Sequence, residues 1–409
     1  MPHTELILIN ISGPDKSGIT ASLTEILARY NADILDIGQA DIHHTLALGI
    51  LFKTDSRRSG EILKELLFKT NDLQVQVQFS IVTEDEYNAW VGRQGKNRYI
   101  VTLLGRRITA AQISAVSSII TQQGLNIETI TRLTGRMPLD EEQQPMTKGC
   151  IELSVRGTPE DRVKMQSDFM QLASELNFDI SMQEDTMYRR SRRLICFDMD
   201  STLIRTEVID ELADRAGVGE EVRAITESAM RGEIDFRESF TRRVKLLKGL
   251  DVSLMKDIAE KLPITEGVPR LMEVLKRSGY KTAILSGGFT YFGEYLKNKF
   301  GFDYVYANEL EIGSDGKLTG NYVGDIVDGP RKRELLRLLA QVEKINIAQT
   351  IAVGDGANDL PMLAEAGLGI AFHAKPKVKA EASQSISTIG IDGVLYFLGF
   401  KDSYMEQKS

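Results

Sequence analysis

The chain has 409 residues, 42% hydrophobic and 26% charged, enough apolar material to build two or three globular domains. Its formal net charge of -8 argues against nonspecific nucleic-acid binding, which needs a basic face. Two cysteines, Cys150 and Cys196, imply no disulfide framework and fit a reducing cytoplasm, and neither a secretory leader nor a membrane-spanning run is legible.

Residues 5–11 read as a strand and Ser12 to Gly18 as a turn. Leu23, Ile26 and Leu27 give helical spacing between Ile19 and Tyr30. Strand-like runs follow at 34–43 and 45–52, then a helix around 60–68. Leu73, Val75, Val77, Phe79 and Ile81 alternate with polar residues, the mark of a half-buried strand. The order β-α-β-β-α-β is that of a ferredoxin-like unit.

The same order returns: strand 99–104, helix 110–122, strands 127–133 and 150–155, helix 159–176 and strand 178–183. Residues 84–96 read as a polar linker between the units, and 137–148 as a polar, mobile loop within the second. The tandem pair resembles ACT domains, amino-acid-sensing modules, over 1–85 and 97–185. Gly13-Pro14-Asp15-Lys16-Ser17-Gly18 looks like that family's ligand-binding turn, which makes Gly13, Asp15 and Gly18 candidate effector residues and serine the expected effector. The matching turn of the second unit, residues 105–109, resembles it less, and dimerisation alone is the alternative role. The basic run 188–193 is short, lies at a boundary, and reads as a solvated linker.

From Arg193 the pattern changes. The apolar run Leu194–Phe197 is a buried strand, with Cys196 a small core residue. Asp198 and Asp200 follow it, and side chains two apart on an extended chain face the same way. Residues 207–262 are helical throughout and interrupt a β/α pattern that resumes with strands at 281–285, 304–327 (a hairpin), 350–353 and 368–372. Such alternation means a doubly wound parallel sheet with an inserted helical cap. Polar loops follow Phe197, Leu285 and Val353, and in a parallel sheet such strand ends converge on one edge.

Those loops, D-x-D-S-T, Ser286-Gly287-Gly288 and G-D-G-x-N-D, together with Lys332, resemble the four motifs of the haloacid dehalogenase superfamily in order. The resemblance implies a catalytic domain over 191–409 with Asp198 as nucleophile, Asp200 as general acid, and Mg²⁺ held by Asp198, the Asp200 backbone carbonyl and Asp355. It gives the phosphoryl oxygens to Ser286, Gly287 and Lys332, with Asn358 and Asp359 orienting ligands or the lysine. Arg331 and Arg333 flank Lys332 and leave the register open.

The insert resembles that of the phosphoserine phosphatase family. The resemblance puts Glu207 at the substrate ammonium, Arg243 at its carboxylate, and Met230 and Phe236 over the site, although both could equally be cap core and Arg242 could be confused with Arg243. It implies a cytoplasmic homodimer that hydrolyses O-phospho-L-serine through an aspartyl-phosphate, the last step of serine biosynthesis, with no nucleic-acid or membrane partner. Another small phosphomonoester as substrate, or an amino-acid sensor with a vestigial catalytic half, are the alternatives.

Overall fold

The structure, a computed structural model, describes residues 4–92, 95, 97–136, 148–382 and 384–405. The polar excursion expected at 137–148 lies outside the described residues except for Lys148. The chain forms two compact units, Met1–Lys96 and Asn97–Ser409.

The first unit is a four-stranded antiparallel sheet, β1 (Thr4–Pro14), β2 (Asp33–Ile42), β3 (Thr45–Asp55) and β4 (Gln76–Val82), in the order β2-β3-β1-β4. Ile7, Ile9 and Ile11 on β1 and Leu46, Leu48 and Ile50 on β3 repeat every second residue and are buried with the helices Ile19–Arg29 and Ser56–Asp72 in one core. The second helix starts at Asp55, whose carboxylate accepts the Arg57 N–H at 3.0 Å. The segment read as a linker carries a helix, Glu84–Gly92, with no buried residue.

The second unit opens with another antiparallel sheet, β5 (Arg98–Gly105), β6 (Asn126–Arg132), β7 (Gly149–Arg156) and β8 (Asp179–Glu184), in the order β6-β7-β5-β8. A short helix, Met187–Arg190, leads onward. Here the expectation of a solvated basic linker fails. Arg189 is 7% exposed and pairs with Glu152 at 2.7 Å, and Arg192 is 4% exposed and donates to Gln183 Oε1. The partners come from β7 and β8, which a local charge count does not see.

The seven-stranded sheet follows: β9 (Leu194–Phe197), β10 (Lys281–Phe289), β11 (Tyr304–Ile312), β12 (Leu318–Val323), β13 (Thr350–Gly354), β14 (Leu368–Phe372) and β15 (Gln384–Ile386). Its order is β12-β11-β10-β9-β13-β14-β15, parallel throughout except for β12. The chain winds outward in one direction from β9 through β10 and in the other from β13 through β14. The switch point therefore lies between β9 and β13, where open α/β sheets bind ligands. Four helices, Val208–Ala216, Gly219–Met230, Phe236–Leu246 and Ser253–Glu260, form the cap inserted after β9. Its two connections meet in a bridge between Ile204 and Ile264.

Three domains were legible in the sequence, yet the second antiparallel sheet and the parallel sheet form one unit. Leu104, Leu133 and Cys150 belong to the same apolar core as Ile389, Val394 and Leu395. The buried Asp179 carboxylate accepts the N–H groups of Ser387 and Thr388 at 2.7 and 3.0 Å. Gln384 both accepts from the Met182 N–H and donates to the Met182 carbonyl, at 3.0 and 2.9 Å, a side chain acting as one more ladder rung on β8.

Candidate active site

Three strand ends build the site, and each ends for a local reason. β9 stops where Asp198 begins the polar loop, and Ser201 takes a left-handed φ of 57° that turns the chain back. β10 and β11 pair from Ala283 to Leu285 and again only at Phe289 and Asn308, so Ser286–Gly288 bulges out of the ladder. β13 ends at Gly354, where an added Cβ would lie 2.4 Å from the Asp359 carboxyl carbon, so only glycine admits that carboxylate.

Lys332 is fully buried in the first turns of the Gly329–Val342 helix, while Arg331 and Arg333 are exposed. Its ammonium lies 2.9 Å from Asp198 Oδ1 and 2.6 Å from Asp359 Oδ1. Burial alone would lower its pKa, and the two carboxylates more than reverse this and raise it. Asp198 Oδ1 also accepts the Met199 N–H at 2.8 Å. Asp359 Oδ2 accepts from the N–H groups of Asp355 and Gly356 at 3.1 and 2.9 Å, so its role is to hold the lysine and the loop.

Carboxylate oxygens of Asp198, Asp355 and Asp359 lie within 4.8 Å of one another. Burial first, then the Asp359 charge, pushes Asp355 up to about 7. The same two causes raise Asp198 well above the usual carboxylate range, against the pull of Lys332. Such crowding of hard oxygen donors suits a small divalent cation. The Asp200 carboxylate is not in this cluster. Its Oδ1 accepts the Val208 N–H at 3.0 Å, and its Oδ2 faces Gly288, where a Cβ would come within 2.3 Å. Burial and the Glu207 charge raise its pKa as well.

The cap residues divide. Arg243 is half-buried, donates weakly to Ser239 O and Thr226 Oγ1, both at 3.4 Å, and feels the charges of Glu207, Asp210 and Asp200, while burial lowers its pKa. Glu207 is held by the Ser201 hydroxyl at 2.8 Å. Arg242 is exposed and pairs with Glu238 on its own helix. The Phe236 ring lies on the Ser286–Gly288 loop, since a Cβ on Gly287 would meet it at 2.9 Å. Met230 does not cover the site: it is 64% exposed, with its sulfur 3.6 Å from Lys375 Nζ. Asn358 is half-buried and folded over Gly356. In the first unit the run read as a turn divides: Gly13 is half-buried and still paired with Leu46 in β1, where a Cβ would meet Val75 at 3.0 Å, whereas Asp15 and Gly18 are exposed, and Lys16 bonds to Leu73 O and Gln74 Oε1.

Two residues were missed. Thr202 donates to Asp355 Oδ1 at 3.0 Å, joining the first and last loops. Its place at the end of the D-x-D-S-T run, next to Ser201, was the available signal. Asn308 holds the Gly287 carbonyl, and nothing local announced it beyond an asparagine inside a strand.

Comparison with known proteins identifies the domains. ACT domain families match residues 5–80 and 98–183, and the haloacid dehalogenase-like hydrolases match 192–367. A phosphoserine phosphatase of Streptomyces coelicolor is 37% identical, covering 98% of this chain and 93% of its own length. This chain belongs to the phosphoserine phosphatase family. The Mycobacterium tuberculosis member is 38% identical over 98% of this chain and 94% of its own. The crystal structure of a probable phosphoserine phosphatase from Vibrio cholerae superposes with a TM-score of 0.59 at 36% identity, covering 76% of this chain and 93% of that one. Family membership thus extends over the tandem ACT units as well as the catalytic sheet. Among the described residues, no helix is long and apolar enough to cross a membrane.

Proposed function

We propose that the chain hydrolyses O-phospho-L-serine to L-serine and phosphate, the closing step of serine synthesis. The observation that carries the reading is the buried Asp198 carboxylate at the tip of β9, held 2.9 Å from Lys332 Nζ. In its ionised form, which the Lys332 ion pair favours against the burial, a carboxylate needs no base to become a nucleophile. Asp198 attacks phosphorus, the P–O bond to the seryl oxygen breaks, and Asp200 gives that oxygen a proton. Asp200 Oδ2 faces the Ser286–Gly288 loop, the side on which the phosphoryl group would rest. Asp200 then takes a proton from the water that attacks the aspartyl-phosphate, and Asp198 and free phosphate are released.

Ser286, the Gly287 N–H and Lys332 are the phosphoryl anchors. Two of the lysine's three donors serve Asp198 and Asp359, which leaves a third for a phosphoryl oxygen. The acidic cluster fits Mg²⁺, with Asp198 and Asp355 side chains and the Asp200 carbonyl as its protein ligands. The ion would offset repulsion between carboxylate and phosphate. Glu207 and Arg243 read the ammonium and carboxylate ends of the substrate. Phe236 closes over the loop, and Met230 would have to move inward to join it.

We further assign an amino-acid effector, serine first, to the turn at Gly13, Asp15 and Gly18, and a cytoplasmic homodimer as the working form. The exposed Asp15 and Gly18 support the effector reading, and the two free, buried cysteines fit a reducing compartment. The test is phosphate release from a panel of phosphoesters with and without Mg²⁺, with acid quench to trap label on Asp198. Phosphoserine should lead the panel. Equal rates on phosphoethanolamine and 3-phospholactate would discard the substrate assignment, and no Mg²⁺ dependence would discard the ion.

A further inference from the structure

The Ser286–Gly288 bulge presents a structural problem that β10 cannot solve by itself. Between Leu285 and Phe289 the ladder to β11 is broken, so the backbone that must grip a phosphoryl group lacks strand pairing there. Such a loop would drift unless its peptide groups were held by other means. One peptide, Gly287–Gly288, is held at both ends. Its N–H donates to Ser286 Oγ at 2.9 Å, and its carbonyl accepts from Asn308 Nδ2 at 2.8 Å.

Asn308 does more than hold that carbonyl. Its Oδ1 accepts the Val327 N–H at 2.8 Å. Val327 precedes Asp328, which caps the Gly329–Val342 helix by accepting the Arg331 N–H and whose carbonyl accepts the Lys332 N–H. One carboxamide, 2% exposed, thus ties the loop of Ser286 and Gly287 to the helix of Lys332. Both of its ends are used, so it cannot turn without breaking a buried bond.

We propose that Asn308 is a positioning residue for phosphoryl transfer. It sets the spacing between the two halves of the phosphoryl cradle, acting through Gly287 and Lys332 and touching no substrate itself. The proposal rests on the phosphomonoesterase reading above. Hydroxyl or carboxyl replacements should therefore weaken grip on the phosphoryl group and leave recognition of the amino-acid end alone.

The test is Asn308→Asp in the full chain. The introduced carboxyl still accepts from Val327, but once ionised it cannot donate to the Gly287 carbonyl and repels it; protonated, it donates again. At about pH 8, kcat/KM should fall at least about tenfold relative to wild type, the loss expected when one buried bond that fixes a reacting group is broken. Divided by the wild-type profile, activity should recover at least about threefold on lowering the pH to about 5.5, since burial raises a carboxyl pKa. Inhibition by inorganic phosphate should weaken in parallel at the higher pH.

A folded variant whose ratio to wild type is flat with pH, and whose phosphate inhibition is unchanged, overturns the proposal. If that variant does not fold, Asn308→Ser decides. It should lose the same factor on phosphoserine and p-nitrophenyl phosphate and bind phosphate more weakly, and unchanged phosphate binding overturns the proposal. If wild type cleaves no phosphomonoester, the functional reading fails instead. Phosphate binding by calorimetry then still separates wild type from Asn308→Asp.

Discussion

Lys332 sits between two carboxylates with no exposed surface, and this decides which substitutions are informative. Removing one partner of a buried ion pair costs about 3–5 kcal/mol because the other charge is stranded. Lys332→Ala would therefore confuse lost chemistry with lost folding. Asp198→Asn is cleaner: the amide keeps the volume and still accepts the Met199 N–H, and it removes one charge from a crowded acidic cluster. Turnover should vanish, while the melting temperature measured without Mg²⁺ should hold or rise. Turnover near wild type would take the nucleophile role away from Asp198. Asp200→Asn should slow phosphoserine about a hundred- to ten-thousand-fold, the usual range for a general acid. The loss on p-nitrophenyl phosphate should be far smaller, because nitrophenolate leaves without a proton. Comparing kcat for the two substrates checks this, and equal losses would mean that Asp200 does something other than protonate the leaving group.

At the scale of elements, the proposed function assigns specificity to the cap helix Phe236–Leu246. It begins at Asp235, whose carboxylate accepts the Glu238 N–H at 2.8 Å, and it places Phe236 and Arg243 on its inner side. A charge-assisted bond contributes about 1.5–3 kcal/mol, and about 1.4 kcal/mol is one decade in rate. Arg243→Ala should then reduce kcat/KM for phosphoserine at least about tenfold and leave phosphoethanolamine, which has no carboxylate, nearly unchanged. Glu207→Gln should spare 3-phospholactate instead, and the outward-facing Arg242→Ala should be mild on all three. Steady-state kinetics on these esters check the set. An equal loss for Arg243→Ala on every ester would make the arginine a support for the cap or the phosphate. The strands that carry these loops were legible because each joins a short apolar run to a polar turn. The helix Thr290–Phe300 was not, since it follows Phe289 directly, with no side-chain cap to mark its start. Arg189, Arg192 and Asn308 were misread or missed for another reason. Their partners, Glu152, Gln183 and Gly287, are brought to them by strand order, and no local pattern encodes that.

At the scale of the whole molecule, the boundary that matters falls at Lys96 rather than before the catalytic sheet. Residues of the first unit form their own core around Ile9, Leu23, Ile50 and Phe52. The second ferredoxin-like sheet has a core of its own, but Leu104, Leu133 and Cys150 also complete the core of the catalytic sheet. Uncovering an apolar side chain costs about 1.5–3 kcal/mol, and several together approach the whole stability of a domain, about 5–15 kcal/mol. Deleting residues 1–96 should therefore leave a folded, active phosphatase. Deleting 1–190 should give a protein that aggregates or melts well below the first truncation. Asp179→Ala tests the joint without deletion. It takes the partner from the half-buried N–H groups of Ser387 and Thr388, at up to about 1–3 kcal/mol for each group left without one. Urea unfolding followed by activity should shift to lower denaturant by that amount. Fluorescence of the chain's single tryptophan, Trp90 in the first unit, should not shift. If the deletion of 1–190 were as stable as that of 1–96, the second sheet would be an appended module and its shared core would carry no weight.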